Sequence, residues 1–73
     1  MNYDKMVKEM REKHRTTVKQ IADAGTEYQN VVYLHDGEYT VFQEDIEDGE
    51  VWNKTPVKSF GSMDEAKQFA DAN

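Results

Sequence analysis

The densest group of side chains that could do chemistry is the acidic run at residues 44–50, Glu-Asp-Ile-Glu-Asp-Gly-Glu. Closely spaced carboxylates are what a calcium loop or an acid–base pair would need. An EF-hand loop has oxygen ligands at positions 1, 3 and 5, glycine at 6 and glutamate at 12. With Gly49 at position 6, position 3 is Ile46 and position 12 is Thr55, so the match fails twice. We therefore expect a charged hairpin end that binds no metal.

The rest of the chain has no motif for catalysis or cofactor binding. Cysteine is absent, which excludes thiolate ligands and cysteine nucleophiles. The two histidines, His14 and His35, lack the converging ligands of a metal site. A chain of 73 residues also has little room for a cleft with its own walls. We therefore expect a protein that is not an enzyme, with no catalytic residues and no cofactor.

The charge is acidic and unevenly distributed. The chain has 9 Lys and Arg against 15 Asp and Glu, for a formal charge of −6. Residues 26–50 hold eight of the acids and no Lys or Arg. This balance disfavours direct binding to nucleic acid or to an anionic membrane surface. No apolar run resembles a signal peptide or a membrane span, so we expect a cytoplasmic protein, of the kind phages and bacteria use as accessory factors.

The first secondary-structure element of the chain is predicted to be a helix from Tyr3 to Ala24. Its apolar stripe recurs at spacings of four and three: Tyr3, Val7, Met10, His14, Thr17, Ile21 and Ala24. Gly25 is a natural stop for such a helix. The β-branched Thr16-Thr17-Val18 lowers helix propensity, which leaves open whether the helix is continuous.

Two Asp-Gly pairs predict a three-stranded antiparallel meander in the middle of the chain. Asp36-Gly37 and Asp48-Gly49 suit the type I′ hairpin turn, and the runs beside them are rich in Val, Tyr, Phe and Thr. Two-residue turns would place these pairs opposite each other: Leu34 and Tyr39, Val32 and Val41, Val31 and Phe42, Ile46 and Val51, Asp45 and Trp52, Val41 and Pro56. Because Pro56 cannot donate a ladder hydrogen bond, the third strand is expected at a sheet edge.

The chain is expected to end in a short helix that begins after Ser62. Ser62-Met63-Asp64-Glu65 fits a capping box. The predicted fold is therefore α+β: a three-stranded β-meander flanked by a long N-terminal and a short C-terminal helix, in the order αβββα, as a single domain over residues 1–73. This order is similar to that of the double-stranded RNA-binding domain. That family has a lysine cluster where this chain has Ser62 to Lys67 with two acids and one lysine, so no RNA-binding role is inferred.

Both faces of the predicted meander are apolar, and the sequence does not say which face the helices cover. An apolar face left uncovered would bind another protein or a second copy of the chain. The candidate contact residues are Tyr33, Phe42, Ile46 and Val51 on one face, Tyr39 and Trp52 on the other, and Glu44, Asp45, Glu47 and Asp48 at the acidic edge.

The favoured function is thus a non-enzymatic, acidic protein–protein interaction module, for example a regulator or inhibitor, that binds a protein partner or forms a homodimer. Aromatic anchors would supply affinity and the acids would attract a basic partner. The alternative is an acidic mimic of nucleic acid that blocks a nucleic-acid-binding protein. The charge block at residues 26–50 is the reason for considering it.

Overall fold

The computed structural model of the protein describes residues 9–21 and 25–73. In these residues the chain forms one antiparallel sheet followed by one helix, and Glu9, before the sheet, also has helical backbone. The elements are β1 (Arg11–Arg15), β2 (Lys19–Gln20), β3 (Glu27–His35), β4 (Glu38–Glu47), β5 (Glu50–Phe60) and α1 (Met63–Ala72). The spatial order is β1-β3-β4-β5, and the short β2 also pairs with β3, on the same side as β1.

The two predicted hairpins are confirmed. Asp36 and Gly37 both have positive φ, as do Asp48 and Gly49, which is what a type I′ turn requires. The predicted pairing of β3 with β4 is also correct: Leu34 lies opposite Tyr39, and the pairs that follow keep this register without a shift. Strand β5 is a sheet edge in the described residues, as Pro56 indicated, because it pairs with β4 alone.

The predicted N-terminal helix is wrong, and with it the order αβββα. Residues 11–15 and 19–20 are strands that pair with β3; residues 1–8 and 22–24, also part of the prediction, lie outside the described residues. Between the two strands, Thr16 continues the pairing, since its amide donates to the Asn30 carbonyl at 2.9 Å and its Oγ1 accepts from the Asn30 amide at 3.0 Å. The β-branched residues that weakened the helix prediction lie between the two strands. Pairing with the exposed edge of β3 is a long-range interaction that local periodicity does not report.

Two bulges in the β4–β5 pair correct part of the predicted register. Ile46 lies opposite Val51 as predicted, but Asp45 lies opposite Asn53 instead of Trp52, because Trp52 is an extra residue in β5. A second shift puts Lys58 opposite Val41, and Pro56 lies opposite Phe42. Each bulge moves the later residues of β5 by one position, which changes the face they share with β4.

Helix α1 packs on one face of the sheet. Ala66 and Ala70 pack on Val32 and Val41, and the surrounding half-buried side chains are Tyr39, Phe60, Met63 and Phe69. The predicted Ser62 cap is confirmed, because its Oγ accepts from the Glu65 amide. On the opposite face, Val31, Tyr33 and Phe42 form a second buried cluster with Met10 beside it. In the described residues no helix is long and apolar enough to cross a membrane.

Candidate interaction surface

A buried polar cluster lies on the sheet face opposite α1. Its centre is Glu44, whose side chain is only 1 % exposed. One carboxylate oxygen accepts from Gln29 Nε2 at 2.7 Å, and the other accepts from the Tyr33 hydroxyl and lies 2.9 Å from Lys54 Nζ. Lys54 Nζ also donates to the Tyr33 hydroxyl at 2.6 Å. These four residues stand on three neighbouring strands, so the cluster ties β3, β4 and β5 together.

The cluster stabilises the charged form of its carboxylate. Burial alone would raise the pKa of Glu44, but hydrogen bonds from Tyr33, Lys54 and Gln29, with the charge of Lys54, hold it below its ordinary value. Burial by itself would lower the pKa of Lys54, yet its bonds to Tyr33 and Glu44 raise it. Burial and the bond to Glu44 raise the pKa of Tyr33. Glu44 and Lys54 therefore form an ion pair at neutral pH.

Several of the predicted contact residues are buried or half-buried. Glu44 was assigned to the acidic edge, but it is buried and neutralised by Lys54. Tyr33, Phe42 and Ile46 were expected as anchors and are buried, the first two in edge-to-face contact with centroids 5.4 Å apart. Tyr39 is half-buried against the helix. A sequence signal for this existed: Glu44 stands between Phe42 and Ile46 in a period-two apolar pattern, where a carboxylate needs a partner.

Trp52 is the one exposed aromatic side chain in the part of the chain that the structure describes. It is 60 % exposed, whereas every other aromatic in the described residues is buried or half-buried. It is the extra residue of the bulge near the start of β5, and bulges redirect side chains at sheet edges. Val51, its neighbour, is 43 % exposed. We call Val51 and Trp52 the edge patch.

Three exposed carboxylates lie at the β4–β5 turn beside the edge patch. Glu47 and Glu50 lie directly opposite each other across the strands, with Asp48 in the turn between them. Like charges in this arrangement repel and destabilise the pair. Within the described part of the chain, no Lys, Arg or His lies within ion-pair distance of any of them. We call these residues the acidic turn. Asp45 lies apart from it, half-buried, and accepts from Asn53 Nδ2 at 3.3 Å.

A shallow pocket of about 420 Å³ lies on the helix side of the sheet, at the C-terminal end of α1. Its floor includes Asn30 and Gln43, which are cross-strand neighbours. Asn30 Nδ2 donates to the Ala70 carbonyl at 3.1 Å, and the Tyr28 hydroxyl donates to the Asn73 carbonyl at 2.9 Å. These bonds satisfy carbonyls at the end of the helix and attach it to β3. Asn30 and Tyr28 therefore have a structural role in the fold.

The described residues bring together no group of three or more His, Cys, Asp or Glu side chains that could hold a metal ion. His14 is instead paired with Asp71, with 2.8 Å between Nε2 and Oδ1, and this bond joins β1 to the helix. The nitrogen Nδ1 of His35 is buried, and in the described residues it has no hydrogen-bond partner.

The chain was compared with models of known protein families, with curated proteins and with solved structures, and none of them matches it.

Proposed function

We propose that the protein is a non-enzymatic interaction module that binds a basic protein partner through the edge patch and the acidic turn. The observation that carries the proposal is the exposure of Trp52 on an edge strand, in a chain that otherwise places its described aromatic rings in or against the core. Tryptophan is among the residues most enriched at the energetic centres of protein interfaces. An exposed indole beside an exposed Val51 is a small apolar anchor of that kind.

The acidic turn supports a partner of positive charge. Glu47 and Glu50 repel each other across the hairpin, and a cation from a partner would relieve that repulsion. The formal charge of −6 would add long-range attraction and speed association. Contact through side chains is favoured over strand addition along β5, because Pro56 has no amide hydrogen and two bulges interrupt the strand.

The arrangement of the carboxylates favours this proposal over an acidic mimic of nucleic acid. A mimic needs a continuous row of exposed charges, whereas Glu44 is buried in an ion pair. Of the seven other acids of the block, Asp36 and Glu38 lie at one end of the β3–β4 hairpin. The other five lie toward the opposite end: Glu27, Asp45 and the three residues of the acidic turn. Strand β4, of 10 residues, separates these ends by about 30 Å.

The proposal takes the protein to be non-enzymatic because the buried acid–base groups are engaged with one another. Both oxygens of Glu44, the hydroxyl of Tyr33 and the ammonium of Lys54 hold bonds within the cluster. A catalytic carboxylate would need one of these positions for a substrate proton.

The test compares capture of partner proteins by the wild-type chain, a Trp52→Ala variant and a Val57→Ala variant. Val57 is a matched control, because it is an exposed apolar residue of the same strand at 47 % exposure. The proposal predicts that a specific partner is lost with Trp52→Ala and kept with Val57→Ala, and that raised salt weakens its binding. Equal capture by all three chains would contradict it, and binding that fails at moderate salt but tolerates Trp52→Ala would favour the mimic.

A further inference from the structure

The cation–π contacts inside the molecule show which aromatic faces are already occupied. Lys54 Nζ lies 4.7 Å from the centroid of Tyr33, and Lys19 Nζ lies 6.0 Å from that of Tyr28. Lys58 Nζ lies over both Phe60 and Phe69, at 5.3 and 5.9 Å. In the described residues, two of the chain's own lysines, Lys19 and Lys58, thus lie over three of its rings, whereas Lys54 bonds to the hydroxyl at the edge of Tyr33.

Trp52 is different from these rings. Its indole offers the strongest cation–π surface of the natural side chains, and within the described residues no cation lies over it. Lys54, two residues away, is bonded to Glu44 and Tyr33 instead. The position therefore has an open aromatic face that the chain's nearest lysine does not fill.

The acidic turn supplies the second half of a cation site. Glu50 stands two residues before Trp52 on the same strand, at the start of the bulge that exposes the indole. Glu47 lies opposite Glu50 and Asp48 follows in the turn. An exposed aromatic ring and exposed carboxylates on neighbouring residues match a group that is both planar and cationic, because such a group can stack on the ring while it donates to a carboxylate.

We propose that Trp52 and the acidic turn form a subsite for an arginine side chain of the partner. The guanidinium stacks on the indole and donates hydrogen bonds toward Glu50 or its neighbours in the turn. Lysine fits less well, because its ammonium is a compact, strongly hydrated point charge that cannot stack. This inference rests on the proposed function and specifies the chemistry that the partner must present.

Because the chain contains one tryptophan, its indole Nε1–H gives one signal in a nitrogen–proton correlation spectrum, and that signal reports on the subsite. The probes are three capped peptides of identical sequence that carry arginine, lysine or citrulline at the same positions. Citrulline keeps the shape of arginine and removes its charge. We expect a saturable shift of the indole signal with the arginine peptide, at least about three-fold weaker binding of the lysine peptide, and no saturable shift with citrulline.

Two variants connect the response to the subsite. Glu50→Gln should weaken arginine-peptide binding about three-fold or more, and Val57→Ala should leave it unchanged. An equal response to arginine and citrulline, or an indole signal that no peptide shifts, would overturn the inference. So would an indole shift that depends on protein concentration without peptide, since a second copy would then occupy the site.

The failure of this inference can be told apart from failure of the proposed function. Trp52→Leu keeps an apolar side chain and removes the aromatic face. If the partner binds Trp52→Leu as it binds the wild type, while Trp52→Ala loses it, the edge patch is an apolar anchor and the arginine subsite is refuted. If the partner binds all three chains alike, both proposals fail.

Discussion

Lys54 on β5 and Glu44 on β4 form an ion pair across the sheet, with 2.9 Å between Nζ and Oε2. The carboxylate is almost entirely buried, whereas the lysine side chain is 28 % exposed. A buried carboxylate is costly unless its oxygens are bonded, and Gln29 and Tyr33 complete its shell. The pair also fixes the position of β5, the strand that carries Trp52, against β4.

Removing the buried carboxylate of Glu44 should destabilise the fold more than removing an exposed carboxylate. Glu44→Ala leaves Lys54, Tyr33 and Gln29 without their common acceptor, and we expect a loss of about 3 kcal/mol in the free energy of unfolding. This loss is at the lower end of the usual cost of breaking a buried ion pair, because the partly exposed Lys54 can still reach water. Urea titration measures the change. The control is Glu38→Ala, an exposed acid, expected within about 0.5 kcal/mol of wild type. Equal losses in the two variants would show that the cluster does not stabilise the fold.

The lowered pKa of Glu44 predicts a loss of stability in acid. A carboxyl whose pKa is lower in the folded than in the unfolded chain stabilises the fold above its unfolded pKa, here near the ordinary value of 4.5. That contribution disappears as the pH falls through the lower, folded pKa. We therefore expect the free energy of unfolding to fall from about pH 5 downward, in urea titrations at a series of pH values. Glu44→Gln should be less stable at neutral pH and should lose less on acidification. Parallel profiles for the two chains would contradict the assignment.

The sequence predicted the part of the fold that local signals encode. Asp36-Gly37 and Asp48-Gly49 fixed both hairpins, and Ser62 marked the start of the helix. The prediction of the first helix was wrong because residues 11–15 pair with β3, about twenty residues further along the chain. The apolar spacing of the segment does not report this long-range pairing. The bulge at Trp52 has no local signature either, since an extra residue in a strand depends on how both partners pack. Of the candidate contact residues, Val51 and Trp52 are exposed, whereas Tyr33, Phe42 and Glu44 are buried.

Trp52 should contribute little to folding if its role is contact with a partner. Most of its side chain is exposed, so we expect Trp52→Ala to change the free energy of unfolding by no more than about 0.5 kcal/mol. Phe42→Ala, which removes a buried ring of the same sheet, should cost about 3 kcal/mol or more. Chemical unfolding of both variants, followed by circular dichroism, measures the difference. A large loss in Trp52→Ala would assign the indole to the core and remove the main support for the interaction surface.

Asn30 should hold the end of α1 to the sheet. Its Nδ2 donates to the Ala70 carbonyl in a buried setting, and Asn30→Ala leaves that carbonyl without this donor. We expect a loss of about 2 kcal/mol and faster amide hydrogen exchange in the last turn of the helix. Tyr28→Phe removes a bond to Asn73 nearer the surface and should cost about 1 kcal/mol or less. Unchanged exchange near Ala70 in Asn30→Ala would show that helix packing alone fixes this end.

Alanine substitutions at the two hairpin glycines, Gly37 and Gly49, test backbone strain without a steric clash. Gly37 and Gly49 have φ of +79° and +80°, and a Cβ added at either would meet no atom within 4 Å. Replacement by alanine therefore introduces strain in the left-handed region without a clash, and we expect each variant to lose about 1 kcal/mol. Gly61 is the matched control: a Cβ there also meets nothing within 4 Å, and its φ lies outside the left-handed range. Gly61→Ala should be neutral or slightly stabilising, because alanine restricts the unfolded chain. Thermal unfolding of the three variants measures this contrast, and equal losses at all three positions would refute the turn assignment.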